Sequence, residues 1–150
     1  MSAFGDAFRK GQKQADAVKL ARSEIASILE RMKLDVLDAS EGTVEIQLMN
    51  MSVDPGWKLL SLDLASLIPL PHLAATNPKV PTASAVKLAR WVQSDDGYPC
   101  TIKFAGGEHA CYDGDSLRVV LAELLASGAA GELLQRLASA KPPASETEQR

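Results

Sequence analysis

Three features of the chain predict an α+β fold: a long N-terminal helix, one mostly antiparallel sheet of five to six strands, and a C-terminal helical hairpin. Apolar residues recur at helical spacing through the first 32 residues, and period-two alternation with glycine turns fills the middle. Two short leucine stripes follow Asp113 and Gly128. Helices at both chain ends then cover one face of the sheet.

Residues 1–32 predict the first helix. Phe4, Phe8, Gly11, Ala15, Val18, Arg22, Ile25, Leu29 and Met32 are spaced alternately four and three apart, with Arg22 the one charge in the seam. From Val18 onward the stripe widens through Ala21, Ile25, Ile28 and Leu29, as expected of a helix lying on its own sheet. Gly5 and Gly11 weaken the first half. The spacing fits two roles: packing within the chain, or a helix–helix seam between chains in which Phe4, Phe8, Val18, Arg22 and Ile25 make the contact.

The period then changes to two. Leu34 and Val36 alternate with Asp35, and Val44, Ile46 and Leu48 alternate with Thr43, Glu45 and Gln47, predicting a hairpin that turns near Glu41-Gly42. Asp54-Pro55-Gly56 is a turn, and Leu60, Leu62 and Leu64 predict a third strand. Four prolines, at 69, 71, 78 and 81, mark residues 69–83 as an irregular crossover. The hexapeptide Ala-Val-Lys-Leu-Ala-Arg occurs at 17–22 and again at 85–90, but the flanks do not align as a repeat would require. Its second copy has helical composition. Ser94-Asp95-Asp96-Gly97 is nevertheless a hairpin turn needing a strand before it, so 86–93 is read as strand, followed by a strand from Tyr98 to Phe104. Gly106-Gly107 turns the chain into a short strand at 108–112. Asp113 or Asp115 caps a helix carrying Leu117, Val120, Leu121, Leu124 and Leu125, and Ser127-Gly128 separates it from one carrying Leu133, Leu134 and Leu137. The expected organisation is a single domain over 1–140 with a disordered tail over 141–150.

Composition narrows the function. The chain has 150 residues, 46% apolar and 23% charged, as in ordinary globular domains. No stretch reaches the roughly 18–20 apolar residues of a membrane span, and MSAFGDAFRK lacks a signal-peptide layout, so the expected location is cytoplasmic with no membrane partner. The net charge is −3 and aromatics are 5%, which disfavours broad nucleic-acid binding. The charge is uneven: residues 1–33 hold seven Lys/Arg against four Asp/Glu, the remainder nine against fifteen. Arg9, Lys10, Lys13 and Lys19 therefore form a candidate cationic face for an acidic partner or a phosphate backbone.

Reactive side chains concentrate between Gly106 and Asp115. A two-residue Gly106-Gly107 turn would pair Phe104 with His109 and Ile102 with Cys111, setting Cys100, Cys111 and His109 on one face and the cysteines diagonal to each other. That face is apolar, where a thiol stays protonated, and neither cysteine lies in a nucleophile turn. Their spacing matches no zinc pattern, and the acids Asp95, Asp96, Asp113 and Asp115 are explained by turns and caps. Trp57 and Trp91 are expected as core anchors, and Pro78-Lys79-Val80-Pro81 is too common a motif to carry weight. No catalytic, metal or cofactor site is expected. The leading expectation is a non-enzymatic protein that binds another protein, as an adaptor, chaperone-like or immunity-type subunit, and oligomerises, with a homodimer the simplest form. A nucleic-acid accessory protein using the basic helix comes second, and a thiol enzyme using Cys111 and His109 third.

Overall fold

A computed structural model describes residues 2–51 and 69–141. Its elements, in order, are α1 (Ala3–Ala39), β1 (Glu45–Met51), β2 (Leu70–Thr76), β3 (Val86–Ser94), β4 (Gly97–Phe104), β5 (Gly107–Cys111), α2 (Gly114–Ala126) and α3 (Gly128–Ala138). The five described strands form an antiparallel meander in the order β1-β2-β3-β4-β5. The α+β architecture expected from periodicity is the observed one. The strand at 60–64, the turn at 54–56, Trp57 and the tail beyond Lys141 lie outside the described residues.

Opposed positions across the sheet share a face, and one face carries Ile46, Leu73, Ala75, Ala89, Trp91, Cys100, Ile102 and Cys111. All are buried, and they form one cluster with Ile25, Ile28 and Met32 of α1, Leu117, Leu121 and Leu124 of α2, and Ala130 and Leu137 of α3. At roughly 1.5–3 kcal/mol for each large apolar side chain, this layer is the chief stabilising term. Trp91 is a core residue, 3% exposed. Asn77, also buried, fastens α3 to the sheet: its Nδ2 donates to the Leu137 carbonyl at 2.9 Å, and its Oδ1 accepts from Lys79 N–H at 2.9 Å.

The first helix does not end at residue 32. It continues to Ala39, because Val36 falls four residues after the buried Met32 and prolongs the stripe. Leu34-Asp35-Val36 is thus helical, and Glu41-Gly42, both at positive φ, ends a helix rather than turning a hairpin. Gly42 N–H bonds the Leu37 carbonyl at 2.8 Å.

The 69–83 segment is likewise not an irregular crossover: it contains β2. Of its four prolines only Pro71 lies within the strand, near its start and opposite Asn50 of β1, the outermost of the described strands. The buried run His72-Leu73-Ala74-Ala75 forms the pairing, and the register shifts between Leu73 and Ala74 because β3 carries the extra residue Leu88 there. Residues 86–94 are strand, as the hairpin turn requires.

The β4–β5 turn is Ala105-Gly106, both at positive φ, so Phe104 pairs with Gly107 and Ile102 with His109. This register differs by two residues from the expected one. Cys100 is directly opposite Cys111, not diagonal to it. The even shift leaves every side chain on its expected face.

Candidate functional site

The most unusual surface is the first half of α1. Every residue from Ala7 to Ala17 is exposed, and Phe4 and Phe8 are 88% and 67% exposed. At about 1.5 Å per residue, positions 3–20 project some 27 Å as a single helix. The arm starts with a capped turn, Ser2 Oγ accepting from Gly5 N–H at 3.1 Å, and carries an Asp6–Arg9 ion pair at 3.0 Å.

The body takes hold of the helix at Ala21 to Glu24. Gly97, at φ +99°, passes so close to Ala21 that a Cβ there would lie 2.8 Å from the Ala21 methyl. Arg22 donates to the Asp95 carbonyl in the same β3–β4 turn. The Tyr98 hydroxyl donates to Glu24 Oε1 at 2.7 Å, and the Glu24 carboxylate lies over Gly114 at the start of α2. Burial, and then the Glu24 carboxylate, hold the Tyr98 phenol well above its ordinary pKa. Sequence patterning gave no hint of this clamp, whose Glu24 and Tyr98 are 74 residues apart.

The five residues of the expected seam divide at the clamp. Phe4 and Phe8 are on the free arm, Val18 is half-buried at its root, and Arg22 is exposed but bonded to Asp95. Ile25 is a correction: at 2% exposure it belongs to the core and is closed to any partner. Arg9, Lys10, Lys13 and Lys19 are all exposed. At about 100° per residue they spread over half the helix circumference, with Lys10 and Lys13 opposite the phenylalanines. They do not form one cationic face.

The cysteine cluster has different chemistry. Cys100 and Cys111 are free thiols, both fully buried. Burial, reinforced by the neighbouring Cys111, pushes the Cys100 thiol up to about 12, and burial followed by Asp113 raises Cys111. Their sulfurs contact carbonyls, Cys100 that of Gly97 at 3.4 Å and Cys111 that of His109 at 3.8 Å. The His109 ring is stacked on Phe104 with centroids 4.6 Å apart. A thiolate is disfavoured at both positions.

The acids are held locally. Asp113 accepts from Ser116 N–H at 2.8 Å in a capping box that lowers its pKa, and Asp115 pairs with Arg118 at 3.1 Å. Among the described residues no group of three or more His, Cys, Asp and Glu is arranged to hold a metal. A groove of about 400 Å³ runs between α1 and α2, floored by Ile28, Met32, Leu121 and Leu125. No described helix is long and apolar enough to cross a membrane.

With this geometry in hand, comparison with known proteins found no matching family model, curated protein or solved structure.

Proposed function

We propose that this chain is a non-enzymatic, cytoplasmic protein that works by binding another protein through its N-terminal arm and oligomerises, in the manner of an adaptor, chaperone-like or immunity-type subunit. One observation carries the reading: Phe4 and Phe8 stand exposed on a helix that projects beyond the body. A helical stretch of this length is marginal in water by itself, and Gly5 and Gly11 each cost about 1 kcal/mol of helix relative to alanine. Apolar anchors four residues apart on such a helix are what groove-binding and helix-pairing surfaces use. The buried, protonated thiols support a role other than thiol catalysis. The test compares tagged wild type with Phe4→Glu/Phe8→Glu in a nuclease-treated host lysate. Partners, including untagged copies of the chain, should be lost with the variant. Equal capture by both would remove the arm from the account.

The exposure of Arg9, Lys10, Lys13 and Lys19 favours a second reading, a nucleic-acid accessory protein. It requires binding that weakens steeply with salt. Their scatter around the helix and the Asp6–Arg9 pair argue against it.

A further inference from the structure

Resting on the reading of the arm as a docking surface, we propose that its partner is a second copy of this chain. The two arms pack antiparallel, with Phe8 of each against the partner's Val18 and Phe4 against the partner's Arg22. The first support is the seam itself. Phe4, Phe8, Gly11, Ala15, Val18 and Arg22 share one side of the arm at about 100° per residue, graded from large at the tip to small at the middle. A parallel pair would set Gly11 against Gly11 and one Arg22 against the other, leaving a hole and a like-charge contact. The antiparallel pair sets phenylalanine against the smaller Val18, Gly11 against Ala15, and Phe4 over a guanidinium as a cation–π contact. Gly11 has no packing role among the described residues of the single chain, since a Cβ there would meet nothing within 4 Å. Opposite Ala15 it lets the helix axes approach.

Charge gives the second support. The seam is flanked by Ala7, Gln12, Gln14 and Ala21, with Lys19 the one charged neighbour, while Arg9 and Lys13 point away. Two basic arms can thus pair without confronting their charges. The same register brings the tip of each arm, a positive helix N-terminus, towards the partner's Asp95-Asp96 turn beside Arg22, and the two exposed aspartates of that turn offset both positive charges. Four phenylalanines at about 150–250 Å² each supply roughly 600–1,000 Å², the low end for a specific contact, so the dimer is concentration-dependent.

Sedimentation equilibrium on the full chain tests this, with circular dichroism confirming that each variant is folded. Wild type should dimerise, and Phe8→Glu and Val18→Glu should each weaken the dimer about tenfold or more. The double variant Phe8→Glu/Val18→Lys should regain it, because the antiparallel register pairs the new charges while a parallel one would oppose them. A wild type monomeric up to about 100 µM, a dimer indifferent to both single variants, or a double variant no better than the singles would each overturn the proposal. Capture of a lysate protein by Phe8→Glu separates the two failures. If wild type is monomeric but loses a bound protein on this substitution, only the second copy is wrong; if the substitution changes neither assay, the docking arm is wrong as well.

Discussion

Gly97 is where two requirements meet at one residue. Its φ of +99° is a conformation that side-chain-bearing residues avoid, and its Cα lies against Ala21. Gly97→Ala adds backbone strain and a methyl–methyl overlap together, so it should destabilise the fold by about 2–4 kcal/mol in urea unfolding. Gly11→Ala meets nothing within one chain and should instead stabilise the arm helix by about 1 kcal/mol, while weakening the proposed dimer, in which Gly11 lies against Ala15. The thiol pair predicts a pH dependence. An unfolded cysteine ionises near pH 8.5, whereas folded Cys100 holds its proton to about 12. Between those values the unfolded chain has released a proton that the folded chain keeps. The contribution to stability is therefore complete below about pH 8 and falls as pH rises through 9–12, by at most about 1.4 kcal/mol per pH unit for that thiol. Cys111 and Tyr98, both raised, act with the same sign. Urea midpoints should be flat from pH 6 to 8 and decline above 9, and native-state iodoacetamide should label neither cysteine. Rapid labelling of Cys111 at neutral pH would reopen the thiol-enzyme reading.

At the scale of elements, the two copies of Ala-Val-Lys-Leu-Ala-Arg show what sequence can and cannot specify. At 17–22 the hexapeptide lies in α1, and at 85–90 all but its first residue begins β3. The composition is identical, so the environment decides: the first copy continues a helical stripe, and the second leads into a two-residue turn that demands a paired strand. Turn chemistry made β3 and β4 legible for that reason, and Asp113 with its Ser116 box did the same for α2. Short alternation misled at Leu34–Val36, where two apolar positions cannot distinguish period two from the end of a 3.6 stripe. The prolines misled at β2 because only Pro71 falls inside the strand, at its second residue. The arm's seam was legible as spacing, but where the body ends its grip on the helix was not, since that depends on Gly97, Tyr98 and Gly114. Ile25 and Val18, one heptad apart, should accordingly separate. Ile25→Ala should cost about 2–5 kcal/mol of stability and leave association intact, while Val18→Glu should cost under about 1 kcal/mol and lose association. Matching thermal melts and sedimentation runs on the two variants read both quantities.

At the scale of the molecule, the described residues form a body of three helices and five strands, and one of those helices serves the core with only half its length. The buried half of α1 anchors the exposed half, so the arm needs only propagation of an existing helix rather than nucleation. Among the described residues nothing covers Phe4 and Phe8, and the cover proposed for them is the antiparallel arm of a second copy. The most direct measurement is hydrogen exchange of the amides of residues 4–18 across a dilution series of the full-length protein. Rapid exchange in dilute solution, with protection rising in step with concentration, is the predicted result. Exchange equally fast at every concentration, or equally slow, would contradict an arm whose partner is a second copy.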